Sequence, residues 1–150
     1  NIYIPDKTLS AIVYKKLDSN GNLLEEKRVG ADGKELKKTI SKYDLKGREI
    51  EANEYFSGKL LKRLQYVYNN ADMLVEVIQH NPDGTKFTQS KYSYDLKENL
   101  LEEQWSEGQK DEFSHKQSTY DKEGKLVETD QSFAPYRYRV LYKYSYEYYK

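Results

Sequence analysis

The stretch "YDLKGREIEANEYFSGKLLKRLQYVY", residues 43–68, holds one whole period of this chain. It opens on Tyr43-Asp44 and reaches Tyr68-Asn69 after 25 residues. The same pair, an aromatic or leucine followed by Asp, Asn or Glu, stands at Leu17-Asp18, Tyr94-Asp95, Tyr120-Asp121 and Tyr146-Glu147. Every other interval is 26 residues. After each of the first five pairs comes a turn signal: "DSNG", "DLKG", "NNAD", "DLKE", "DKEG". Asp or Asn can open such a turn because its side chain bonds the backbone two residues on. Glycine closes three of the five, where positive φ is cheap. Asp72 and Glu98 take its place in the others, so those two turns are expected to be looser or differently shaped.

An apolar pair and a glutamate follow: Leu23-Leu24-Glu25, Leu74-Val75-Glu76, Leu100-Leu101-Glu102 and Leu126-Val127-Glu128, with Glu49-Ile50-Glu51 as the reduced version. A second turn comes later in each of the first four units, as "ADGK", "FSGK", "PDGT" and "SEGQ". Asp-Gly between extended runs is a strong hairpin signal. Each unit therefore reads strand, turn, strand, turn, with no helical period beside it. The expected fold is all-β: an antiparallel meander of about 10–12 strands made of double-hairpin repeats. A single domain is expected, with units near 17–42, 43–67, 68–93, 94–119 and 120–145 and a truncated C-terminal cap. Accumulated twist should coil such a sheet or partly close it.

A register follows from the apolar pattern. If the four turn residues form the loop, Tyr43 faces Arg48 and Ser41 faces Ile50. That pairing unites the tyrosine column with Leu24, Ile50, Val75, Leu101 and Val127, and a one-residue slip would separate them. The other face takes Leu36, Leu61, Phe87, Phe113 and the glutamate column, so both faces carry apolar stripes.

Composition narrows the function. Hydrophobic residues make up 37% and the mean hydropathy is −1.03, thin against the roughly 45–50% of ordinary domains. Sixteen tyrosines offset this, since each ring buries area while its hydroxyl stays wet. Twenty-five basic and 25 acidic residues cancel, so no long-range field draws the chain to nucleic acid or an anionic membrane. No apolar run approaches the roughly 18 residues of a spanning helix, so no membrane insertion is expected. Asn1 reads as a processed or trimmed start, and a removed export signal would not be visible. There is no cysteine, hence no disulfide and no thiolate chemistry.

The quoted units resemble two bacterial repeat types. "YDLKGREIEANEYFSGKLLKRLQYVYN" and "YSYDLKENLLEEQ" are similar to the tyrosine–aspartate (YD, Rhs-type) repeats, and "YDKEGKLVE" and "EGQKDEF" to the bacterial variant of MORN repeats. The resemblance runs from about residue 17 to the end. It implies β-hairpin arrays on secreted or envelope-associated proteins, extracellular, periplasmic or outer-membrane associated, with no catalytic residue in the repeats. A chain this short cannot enclose a toxin as large Rhs-type shells do.

Chemical motifs are few. His80 and His115 sit at different phases of the repeat, and no phosphate loop, nucleophile elbow or zinc motif appears. The glutamates Glu25, Glu51, Glu76, Glu102 and Glu128 form a ladder that could flank a sugar or cation, and a glutamate-dependent hydrolase is the enzymatic alternative. Against it, Lys91 and Lys143 fall on intervening strands and would neutralise a solvated face. Asp-containing turns spread along an edge do not converge as calcium requires. No catalytic residue, metal or cofactor is expected.

The readings that remain are a binding module for a protein or a glycan, working through aromatic strand faces, and an assembly segment self-associating through sheet edges. The candidate ligand-binding residues are Trp105, beside an enlarged loop at "SEGQKDE", and Tyr136, Tyr138, Tyr142 and Tyr144 of the C-terminal tail. Tyr146 continues the Tyr-Asp column and Tyr144 the column of Tyr66 and Tyr92, so the tail reads as the last strand of the array. A terminal repeat has one neighbour, and large rings there serve as a cap. Contiguous exposure of those rings would instead make them the leading binding site.

Overall fold

The computed structural model describes residues 10–107 and 112–147. Eleven strands follow one another in a single antiparallel sheet whose spatial order is the chain order. They are β1 (Ala11–Leu17), β2 (Leu23–Gly30), β3 (Glu35–Tyr43), β4 (Glu49–Phe56), β5 (Lys59–Tyr68), β6 (Leu74–His80), β7 (Lys86–Tyr94), β8 (Leu100–Glu107), β9 (Ser114–Tyr120), β10 (Leu126–Phe133) and β11 (Tyr138–Lys143). This is the expected meander, inside the expected strand number. Its one helical element among the described residues is a 3₁₀ turn at Ala134–Tyr136. Among the described residues no helix is long and apolar enough to cross a membrane.

The five turns led by Asp or Asn are built alike. At Asp44 the backbone N–H bonds the Arg48 carbonyl and Gly47 N–H returns to the Asp44 carbonyl, both at 3.0 Å. Asp44 Oδ1 then accepts from Lys46 N–H at 2.9 Å and Arg48 N–H at 3.0 Å. Asp18, Asn69, Asp95 and Asp121 make the same pair of bonds to the residues two and four positions on. The pattern is a type I turn with a residue in the left-handed region at its fourth position, where Gly21, Gly47 and Gly124 have φ of 87°, 79° and 83°.

Asp72 and Glu98 occupy that position with φ of 64° and 66°. Their N–H groups bond the Asn69 and Asp95 carbonyls at 3.1 Å. The expected looser turns are therefore not found. The side-chain clamp and the closing bond impose the same shape, and a non-glycine residue is held at positive φ.

The register also differs from expectation. Because Asp44 and Arg48 close the loop, Tyr43 lies opposite Glu49 and not Arg48. A bulge then skips Ile50, so Lys42 meets Glu51 and Ser41 meets Ala52. The same skip falls on Leu24, Leu101 and Val127. Two one-residue offsets thus preserve the side-chain alternation along the rest of each strand.

Tyrosine hydroxyls brace the turns. Tyr43, Tyr94, Tyr120 and Tyr146 each donate to a carbonyl 20 residues back, at Leu23, Leu74, Leu100 and Leu126, at 3.1, 2.8, 2.9 and 2.8 Å. Burial holds the Tyr94 hydroxyl above its usual pKa.

The chain divides into two compact units, Asn1–Leu64 with Asn81–Asp83, and Gln65–His80 with Gly84–Lys150. In the first, ion pairs join neighbouring strands at Lys15–Glu26, Lys42–Glu51 and Lys37–Glu54, at 3.2, 3.0 and 3.3 Å. Ala52, 4% exposed, is the one buried hydrophobic residue among those described. Leu36, Leu61 and Phe87, expected as an apolar stripe, are exposed.

Two predictions follow from the turns. Left-handed backbone costs a non-glycine residue on the order of 1 kcal/mol. Glu98→Gly should therefore raise the melting temperature by about 2–4 °C, and Asp72→Gly by less, since Asp tolerates that region better. Scanning calorimetry with no gain at Glu98 would contradict the strain.

The second concerns acid. Asp18, Asp44 and Asp95 take a further side-chain bond at Oδ2, from Asn22 Nδ2 at 2.9 Å, Arg48 Nε at 2.7 Å and Asn99 Nδ2 at 2.9 Å. These bonds, with the backbone N–H groups, hold the three carboxyls below their ordinary pKa. A depressed carboxyl adds stability that is complete above about pH 4 and is lost as the pH falls through its folded value. Asn keeps the Oδ1 clamp, as Asn69 does, without the charge. The D18N/D44N/D95N variant should lose less stability than the parent between about pH 5 and pH 2 in urea titrations.

Candidate functional site

In the second unit the register places one set of side chains on a common face of β7 to β11. Ser90 lies opposite Trp105 and Tyr92 opposite Glu103. Glu103 lies opposite Lys116, Lys116 opposite Gln131, and Gln131 opposite Val140. Trp105 and these neighbours shape an open groove of about 450 Å³, with Thr88, Ser90, Glu103, Lys116 and Gln131 in its walls.

None of those five polar side chains makes a hydrogen bond or ion pair within the described residues, and neither does the indole N–H. Glu103 and Lys116 are register partners and still form no ion pair. The donors and acceptors of the groove are held by the sheet and left open to solvent.

The opposite face is the reverse. Glu102 accepts from Gln104 Nε2 at 3.0 Å and lies 3.4 Å from His115 Nδ1, and those bonds hold its carboxyl below the usual range. Asp130 pairs with Arg139, with Nε at 2.6 Å from Oδ1, which lowers the carboxyl pKa. Lys143 stands 4.0 Å from Glu128, Gln89 bonds Glu76, and Lys91 lies over the Phe113 ring at 5.7 Å. In the first unit Glu51 is held low by Lys42 and Asn53. Of the two lysines expected to neutralise this ladder, Lys143 approaches Glu128 while Lys91 lies over Phe113, and Gln89, Gln104 and His115 engage Glu76 and Glu102 instead. A general acid or base must instead present a free proton site to substrate. No three His, Asp or Glu among the described residues are grouped to hold a metal.

The sequence-selected residues separate. Trp105 meets Phe133 edge to face, with centroids 6.0 Å apart and planes at 79°. Phe133 stacks on its register partner Tyr138 at 4.6 Å and 25°, and Tyr138 approaches Tyr136 at 6.1 Å. Trp105, Tyr138 and Tyr136 thus join one row through Phe133, which sequence reasoning did not select. Its place at the end of β10, directly before "APY", was the available signal. Tyr142 and Tyr144 stand outside the row. Tyr142 lies opposite Thr129, and the Tyr144 hydroxyl is 3.1 Å from Thr129 Oγ1. The loop after Trp105 lies partly outside the described residues, as does Tyr148.

The cap reading of the tail is not what the exposure shows. Tyr136 is 74% exposed and Tyr138 49%, and Tyr142, Tyr144 and Tyr146 are exposed as well.

Two other depressions offer less. One of about 540 Å³, between Leu96, Leu101 and Tyr120, has Asp95 and Asp121 already committed to their turns. One of about 560 Å³ in the first unit has Asp32 paired with Lys34 and Glu35 near Lys38.

A protein-family model described as "Uncharacterised protein" matches residues 2–119. The chain belongs to that family. The family segment includes β1 to β8 and nearly all of β9, with Trp105, while Phe133, Tyr136 and Tyr138 lie beyond it. No curated protein matches the chain. Among solved structures, "TcdB2-TccC3-TEV" aligns over 89% of this chain and 10% of its own, at 14% identity and a TM-score of 0.31. The family member also aligns, over 89% of both chains, with a protein of unknown function from Bacteroides fragilis NCTC 9343, at 12% identity and a TM-score of 0.17.

Proposed function

We propose that this chain is a non-enzymatic binding module whose ligand is a glycan seated in the Trp105 groove. The observation that carries the reading is the set of five polar side chains beside a tryptophan that have no partner among the described residues. A saccharide presents many hydroxyls that each need a donor or acceptor, and a C–H face that packs on an aromatic ring. The groove supplies both, and its volume lies in the range of small-ligand sites. A stable protein interface needs roughly 800 Å² per partner with an apolar centre. The groove walls, which place Glu103, Lys116 and Gln131 at that centre, fit a protein less well. Surface exposure in the bacterial envelope, which the YD-type resemblance implies, would bring such a site to glycans.

The test uses the single tryptophan as its own reporter. A glycan array should yield binders that shift Trp105 emission on titration. Lys116→Ala and Gln131→Ala should each weaken them about threefold to tenfold, the worth of one hydrogen bond. Calorimetry should show Trp105→Ala losing at least an order of magnitude, with the circular dichroism spectrum unchanged. An array without binders, or binders indifferent to Trp105, would overturn the reading.

Self-association is the second reading, and β1 favours it. Among the described residues this strand pairs with β2 alone and leaves Ile12, Val13, Tyr14 and Leu17 exposed. An edge of this kind can template pairing with another chain. Light scattering across a concentration series should show mass growth that Val13→Lys abolishes. A constant monomer mass would end this reading.

A further inference from the structure

Resting on the glycan reading, we infer that the site extends past the groove: Tyr136 and Tyr138 form a second subsite, and the ligand is a linear saccharide laid across the strands. The row of rings leads there without a break, from Trp105 on β8 through Phe133 on β10 to Tyr138 on β11 and then Tyr136. The two tyrosines expose ring and hydroxyl together, and neither hydroxyl has a partner among the described residues.

Their positions are built. The 3₁₀ turn ends on Arg137, a non-glycine residue in the left-handed region with φ of 51°. Arg137 N–H bonds the Phe133 carbonyl at 2.9 Å, and Ala134 N–H bonds Ser114 Oγ at 3.2 Å. This backbone holds Tyr136 beside Tyr138, which in turn lies flat on Phe133. Strain at a non-glycine residue persists where surrounding contacts enforce it. Here the enforced arrangement leaves Tyr136 74% exposed and about half of Tyr138 open beside it.

The alternation of chemistry sets the ligand class. One end of the site is a polar groove with a single indole; the other is a pair of phenol rings. A compact ligand would fill the groove and leave the tyrosines unused. A ribbon of β-1,4-linked pyranoses offers equatorial hydroxyls along its edges and flat C–H faces at every ring. Such a chain meets both ends at once. Two linked contacts on one ligand raise affinity by effective concentration.

Cello- and chito-oligosaccharides, as disaccharide and hexasaccharide, test this by Trp105 fluorescence. The parent should bind one hexasaccharide at least tenfold more tightly than its disaccharide. Tyr136→Ala, at the most exposed ring and therefore without cost to folding, should remove most of that gain and leave the disaccharide within twofold. Tyr136→Phe should keep it. Tyr136→Ala with Tyr138→Ala should bring the hexasaccharide down to the disaccharide. Equal affinity for both lengths in the parent overturns the second subsite while the groove stands. So does an equal loss for both lengths in Tyr136→Ala. No binding of either series overturns the inferred ligand class, and an array empty of binders overturns the glycan reading itself.

Discussion

One side-chain oxygen per turn organises this sheet. Oδ1 of Asp18, Asp44, Asn69, Asp95 or Asp121 accepts two backbone N–H groups, and the loop around it can then close in one way. Such closure matters because hydrophobic burial is slight. Ala52 is the one buried hydrophobic side chain described, so large apolar clusters do not fix where one hairpin ends and the next begins. Local bonds carry that information. Repetition sums these bonds along an array in which units touch only their neighbours. The tyrosine hydroxyl joins this local network to the preceding unit through a leucine carbonyl 20 residues back.

The clamp also explains how the sequence could be read for the fold and misread for the register. Period, strand number and order follow from the spacing of Tyr-Asp pairs and turn residues, because turn chemistry is local. The pairing of Tyr43 with Glu49 does not. It depends on Asp44 closing the loop through its backbone N–H to Arg48 while its side chain clamps it, and on Ile50 being skipped by a bulge. Neither is visible in an apolar count. Asp72 and Glu98 mislead for the same reason: composition forecasts a different turn, and the clamp enforces the common one.

The candidate site was legible in part of its aromatic row, Phe133 excepted. Trp105, Tyr136 and Tyr138 stand out by rarity or clustering, and the row contains all three. Thr88, Ser90, Glu103, Lys116 and Gln131 are ordinary residues drawn from four strands. What distinguishes them is that they lack partners among the described residues, and only coordinates reveal this. The glutamate ladder shows the converse. Its regular spacing looked like chemistry, while Glu51, Glu102 and Glu128 have Lys42, His115 and Lys143 at ion-pair distance.

The two faces of the second unit thus divide the work of one polar sequence. The glutamate face engages its carboxylates internally, at Glu102–His115, Asp130–Arg139 and Glu128–Lys143. The tryptophan face does not, although Glu103 and Lys116 are placed to do so. The tail follows the same division along its length. Tyr144 and Tyr146 continue the structural pattern, one against Thr129 and the other on the Leu126 carbonyl. Tyr136 and Tyr138 precede them on a backbone turned through Arg137, where their rings reach the row and their hydroxyls reach water. Tyr138 still lies against Phe133, so of the two it is Tyr136, 74% exposed, that the sheet holds least.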